Sequence, residues 1–259
     1  EPLDFYLKLA SIVALADNGH SNITMSPAYE FGLLPIRTVW FSDGLFIVRT
    51  RTEHQRLLGA RVDSISGHGV DDLVERLGVY HGGTDERFRQ YFSTPLLLSP
   101  PVLHATGLSD PAEQVTLSVR LADGTKEQVE LAADPPGRAV QRMNSWTTLL
   151  PTSSSRLDRG WSSYLESGTA MPLALDESHA LYRYVHLADE GIVYIQLRLN
   201  TASAGGSIRD FAADALRRLE QDQPTAIVLD NRYNPGGDLT RTATFARALP
   251  SLVPDNGMV

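Results

Sequence analysis

The residues best placed to do chemistry form one short run, Asp230-Asn231-Arg232-Tyr233-Asn234-Pro235-Gly236-Gly237. It follows the apolar run Thr225–Asp230 and precedes a segment with helical spacing. Open α/β sheets keep their sites at that place, outside the carboxyl end of a strand. Two consecutive glycines let the backbone come close to a ligand. Their N–H groups, beside a helix N-terminus, can hold an anion or a developing oxyanion. One such donor is worth roughly 3–4 kcal/mol in acyl transfer. Pro-Gly-Gly is equally compatible with an ordinary turn. The run is not a P-loop, because no Gly-Lys-Ser/Thr follows, and it lacks the three-glycine spacing of a dinucleotide fingerprint.

Other side chains offer less. The chain has no cysteine, which removes disulfides, thiolate metal sites and a cysteine nucleophile. His54, His68, His81, His104, His179 and His186 show no metal-ligand spacing and read as surface or packing residues. Ser21 and Ser207 read as cap or turn residues and Ser153 to Ser155 as loop. Ser251 lies between prolines at a helix end, with no glycine elbow before it, and is a poor nucleophile. Neither a metal nor a cofactor is expected.

The elements that must position these residues follow from periodicity. Pro2 to Ala16 predicts a helix with Leu3, Tyr6, Leu7, Ala10, Val13 and Ala14 on one face, closed by a left-handed cap at Asn18-Gly19. His20 comes next. A β-rich stretch then has strands at Leu33–Phe41, Leu45–Arg51 and Ala60–Ser66, a short helix at Val70–Leu77, and a hairpin across Asp123-Gly124. The stretch from Ala133 to Ser178 is less regular and predicts a domain boundary. Beyond it, Tyr182–His186 and Ile192–Leu199 predict strands, and Ser207–Glu220 a helix opened by a capping box. Thr225–Asp230 predicts a strand buried on both faces. Asp238–Leu249 predicts a helix stopped by Pro250. Strand, helix, strand, loop and helix in that order argue for a parallel α/β core.

The 259 residues carry a net charge of −8, are 42% hydrophobic and 21% charged, and show no basic stripe. Nucleic acid is therefore a poor partner. No apolar run of about 18 residues predicts a membrane span. The chain starts at Glu1 and reads as a mature or shortened form.

Three blocks together resemble the tail-specific (C-terminal-processing) serine peptidases, peptidase family S41, in their tricorn-like and interphotoreceptor-retinoid-binding-protein-like branch. Ala226 to Gly237 is similar to that family's apolar strand, Asp-Leu-Arg, then Asn-x-Gly-Gly, with Asn231 in the place of leucine. Asp17-Asn18-Gly19-His20-Ser21 resembles its Asp-Gly-His-Thr element with Asn18 as an extra residue. Gly59 to Val70 resembles the strand-to-helix stretch of a PDZ-like domain, which binds peptide at a sheet edge.

The resemblance implies an α/β chain, α+β overall. Residues 1–26 would be a helical segment, 27–133 a PDZ-like β-rich domain, 134–179 a linker, and 180–259 the first half of a crotonase-like core. It implies that His20 is a general base, suited by an imidazole pKa near 6.5, the other reading being a polar residue after a helix cap. Gly236 and Gly237 would supply the oxyanion region, with Asn234 and Pro235 against the substrate. It also implies a peptide or unfolded-protein substrate, a homo-oligomer, and a periplasmic or secreted location with the cytoplasm as the alternative. The nucleophilic serine is expected beyond Val259, so these residues alone would be inactive. The rival reading is a non-catalytic ligand- or peptide-binding module on the same fold.

Overall fold

A computed structural model describes residues 2–21, 23, 31–83, 85–135, 146–153, 158–165, 170–177, 179–200, 207–232 and 234–254. The chain divides into two compact units, Glu1–Thr169 and Ala170–Val259. Helices and strands are mixed throughout, so the chain is of the α/β class.

The first unit is built on an antiparallel sheet. Its main path runs β1 (Ile36–Phe41), β2 (Gly44–Arg51), β3 (Arg61–Ile65), β5 (Gln114–Arg120) and β6 (Lys126–Ala132). The short β4 (His68–Gly69) pairs with β3, and β7 (Trp161–Ser163) with β2. In β5 the alternating residues Val115, Leu117 and Val119 are buried while their neighbours are not, as a half-buried strand requires. The β5–β6 hairpin turns at Asp123-Gly124, where Gly124 takes φ 88° and Asp123 Oδ1 accepts the Thr125 N–H at 2.9 Å.

Helix α1 (Pro2–Ala14) packs Leu3, Tyr6, Leu7 and Ala10 into the same core, and α2 (Val70–Leu77) adds Val70, Leu73, Val74 and Leu77. Two further helices, α3 (Glu86–Leu97) and α4 (Pro100–Ala105), have no counterpart in the sequence reading. Pro95 lies inside α3, and Gln90, Ser93 and Thr94 are among its buried residues, so the apolar period is broken where packing is tight. The 134–179 span holds β7 and Asp158, which forms a buried ion pair with Arg49 of β2 at 2.6 Å. Trp161 lies under the guanidinium groups of Arg37 and Arg51, at 4.4 and 4.6 Å from the ring centre.

The second unit is a three-stranded sheet in the order β10 (Ala226–Asp230), β9 (Ile192–Leu197), β8 (Tyr182–Leu187). The pair β8–β9 is antiparallel and β9–β10 parallel. Helix α5 (Ile208–Asp222) makes the crossover between β9 and β10. Ser207 caps it by accepting the Asp210 N–H at 3.4 Å. Ile208, Ala212, Ala215 and Leu219 are buried along α5, and the last three pack against Val193, Ile195, Leu197 and Ile227.

Three expectations change. β10 is not buried on both faces: Ile227 is 2% exposed but Val228 is 45% exposed. Among the described residues β10 is an outer strand, and its apolar run does not place it centrally. Helix α1 ends at Ala14, and Asp17 rather than Asn18-Gly19 takes the left-handed conformation, with φ 45°. The predicted helix at Asp238–Leu249 is α6 (Ala243–Ala248) between two short 3-10 turns, and Pro250 is the second residue of the later turn, Leu249–Leu252.

Candidate functional site

The glycine loop begins at Asp230, the last residue of β10. Asp230 is 5% exposed. Its Oδ1 accepts from the backbone N–H and Nε of Arg232, both at 2.9 Å, and its Oδ2 accepts from Arg232 Nη2 at 2.7 Å and from the Tyr194 hydroxyl. Gln196 Nε2 also donates to Oδ2, at 3.4 Å. Burial alone would raise the Asp230 carboxyl, but the bonds from Arg232 and Tyr194 outweigh it and bring it down to about 2. Burial, and then the bond to Asp230, push the Tyr194 hydroxyl up to about 12, so it stays a donor. The Asp230 carboxylate raises the Arg232 guanidinium further still.

The next turn is tied to β9. Asn234 Nδ2 donates to the Leu197 carbonyl at 2.9 Å, and Asn234 Oδ1 accepts the Gly236 N–H at 2.8 Å. Asn200 then bridges Gly237 in parallel: Asn200 N–H donates to the Gly236 carbonyl at 3.2 Å, and Asp238 N–H donates to the Asn200 carbonyl at 3.1 Å. In a parallel bridge of this kind the central residue turns its own N–H and C=O to the other side. The Gly237 N–H therefore points away from Asn200, and it has no acceptor among the described residues. Gly237 takes φ 138°, and a Cβ there would lie 2.6 Å from the Asn200 carbonyl oxygen. Gly236 takes φ 93° with open space around it.

The Gly236 N–H is donated to Asn234, and both ends of the Asn234 carboxamide bond main chain, so the side chain holds the loop in shape. Pro235, Gly236 and Gly237 are exposed. Tyr233 lies outside the described residues.

His20 belongs to the first unit, in the turn after α1. Its backbone N–H donates to Asn18 Oδ1 at 2.9 Å. The residue is exposed, and its ring makes no hydrogen bond among the described residues. A second histidine does face a serine: His81 and Ser93 share a hydrogen bond of 2.8 Å between Nε2 and Oγ. Ser93 is 0% exposed, so no substrate reaches that pair. Burial first, and the nearby Arg89 second, lower His81 to about 4. Ser251 Oγ donates to the Ala248 carbonyl at 2.8 Å and bonds no histidine among the described residues.

Sequence reading missed Asp230, Tyr194, Gln196 and Arg232 as a group that holds the loop. The signal was there in period two: Tyr194, Gln196 and Arg198 alternate with the buried Val193, Ile195 and Leu197. The register of β9 sets Gln196 opposite both Arg183 and Asp230. One face of the sheet is therefore polar and the other apolar. The carbonyls of Leu173, Ala174, Asp176, Glu177 and Ala180 accept from Arg183, Gln196 and Arg198 on the polar face.

No protein-family model matches the chain, and no curated protein matches it either. Among solved structures it is similar to CPAF, a serine protease. Mature CPAF complexed with lactacystin superposes with a TM-score of 0.57 at 18% identity, over 94% of this chain and 49% of that one. A serine-to-alanine variant of CPAF gives 0.53 at 18% identity, over 92% and 48%. Mature CPAF gives 0.50 at 18% identity, over 92% and 47%. The chain thus spans about half the length of the CPAF chains it matches. What is shared at this identity is the fold, one that a protease carries.

Proposed function

We propose that the protein is a serine-type peptidase of the tail-specific kind, hydrolysing peptide bonds in extended or C-terminal peptide segments. The single observation that carries this reading is the Gly237 amide, turned outward on an exposed loop at the end of a parallel strand. Such an amide is placed to donate to the oxygen of a tetrahedral intermediate. The likeness in fold to a serine protease supports the same reading.

In this reading the nucleophilic serine is carried outside these 259 residues. His20 takes the serine proton as the hydroxyl adds to the scissile carbonyl, then returns it to the leaving amine. Gly237 N–H stabilises the oxyanion between the two steps. Residues 27–133 serve as a PDZ-like module, and residues 180–259 as the opening half of a crotonase-like core. A periplasmic or secreted setting suits such an enzyme.

A fluorophosphonate that reacts only with activated serines tests the proposal. The full-length protein should take up one label, and His20→Ala should abolish it. A folded full-length protein that takes no label would sink the catalytic reading. That outcome would leave the binding module on the same fold, the reading favoured by a His20 ring with no hydrogen bond among the described residues.

A further inference from the structure

The loop that carries His20 is seated on a part of the chain more than sixty residues away. His20 makes no side-chain hydrogen bond among the described residues, and the contacts that hold this residue there are to its backbone. Asn18 ties that backbone on both sides. Its Oδ1 accepts the His20 N–H at 2.9 Å, and its carbonyl accepts the Ser21 N–H at 2.8 Å.

Asn18 is itself pressed against a glycine pair. A Cβ on Gly82 would lie 2.8 Å from Asn18 N and 2.9 Å from Asn18 O, closer than real Cβ atoms approach. Next to it, the Gly83 N–H donates to Asp17 Oδ1 at 3.1 Å. On the other side of Asn18, a Cβ on Gly19 would lie 2.5 Å from the Phe88 ring. The glycine pair is fixed in turn to α3. His81 bonds Ser93 at 2.8 Å in the buried interior, and Arg89 Nε donates to the Gly83 carbonyl at 3.3 Å. Phe88, Arg89 and Ser93 all belong to α3.

We infer that Asn18, seated on Gly82, is the positioning residue for His20. The inference rests on the reading of His20 as the general base. It gives a physical role to the residue that lengthens the Asp-Gly-His element by one: Asn18 supplies the acceptor for the His20 amide, and its main chain fits where only glycine can face it.

The test has two arms, chosen so that failure of the seat and failure of the peptidase reading can be told apart. In the first, amide hydrogen exchange and ring dynamics of His20 are followed by NMR on the full-length protein. Asn18→Ala should raise exchange at the His20 amide by up to about tenfold, the worth of one hydrogen bond, with the melting temperature nearly unchanged. Asn18→Asp, which keeps the acceptor, should restore protection. Gly82→Ala should loosen His20 in the same way from the other side of the contact. Unchanged His20 exchange in both Asn18→Ala and Gly82→Ala would overturn the seat.

In the second arm the peptidase activity of the same variants is measured. Asn18→Ala should lower kcat with KM unchanged, with Asn18→Asp as the rescue. A loosened His20 with unchanged kcat overturns the positioning role, provided that His20→Ala removes activity. Full activity in His20→Ala overturns it at the root, since there is then no base to position.

Discussion

The Asn234 carboxamide accepts the Gly236 N–H at 2.8 Å and donates to the Leu197 carbonyl at 2.9 Å. One side chain thus closes the glycine loop on itself and clips it to the end of β9. Replacing it by alanine leaves a backbone donor and a backbone acceptor without partners. Asn234→Ala should cost about 1–3 kcal/mol, the range for unsatisfied groups at a half-buried site. Asn234→Asp keeps the bond to Gly236 but loses the donor to Leu197, and should fall between alanine and wild type. Urea unfolding of the three proteins checks the order, and equal midpoints for all three would refute the clip.

The two glycines separate by their surroundings. Gly237 has φ 138°, and a Cβ there meets the Asn200 carbonyl oxygen at 2.6 Å. Gly236 has φ 93° but open space. Gly236→Ala therefore carries only backbone strain, on the order of 1 kcal/mol, while Gly237→Ala adds a clash with main chain and should cost about 3 kcal/mol. Thermal unfolding ranks them. If Gly236→Ala is the worse of the two, the bridge between Asn200 and Gly237 is not as described here.

How far the sequence could be read depended on which force set each element. The α2 helix and the β5–β6 hairpin were legible because their apolar period and turn residues agree with their burial. The strand Ala226–Asp230 was legible as a strand but not as an outer one. An apolar run reports what a strand could bury, and the 45% exposure of Val228 depends on what lies beside it. Helix α3 was invisible because Pro95 and its buried polar residues erase the pattern. At the site, the glycine loop was legible from Pro-Gly-Gly after a strand. Which amide faces outward was not, since that follows from the pairing of Asn200 with Gly237, set by a register between distant segments.

His81 should make the first unit sensitive to acid. It is 7% exposed, bonds Ser93, and has its pKa lowered to about 4 from an ordinary 6.5. The unfolded chain then binds the proton more readily than the folded one between those values. The stability is fully present above pH 6.5, falls as pH drops through the window from 6.5 to 4, and levels off below it. The loss should be on the order of 2 kcal/mol after allowance for solvent screening. Urea unfolding across this range measures it. His81→Gln, which can keep a bond to Ser93, should flatten the curve, and an unchanged slope in that variant would assign the acid loss to other groups.

Asp230 has the opposite sign. Burial opposes its charge, but the bonds from Arg232 and Tyr194 prevail and hold it at about 2 against an ordinary 3.8. Its contribution is present above pH 3.8 and is lost as pH falls through 2. The Tyr194 hydroxyl is one of the donors that holds it there. Tyr194→Phe should move the Asp230 titration upward, toward the ordinary value, and cost about 1–2 kcal/mol at neutral pH. Asp230→Asn goes further, because it removes the charge that fixes Arg232, and the Arg232 side chain, already 66% exposed, should become mobile. Carbon-13 shifts of the Asp230 carboxyl follow the first effect and relaxation at Arg232 Nε the second. An Asp230 titration that does not move in Tyr194→Phe would mean that Arg232 alone sets the charge at the root of the glycine loop.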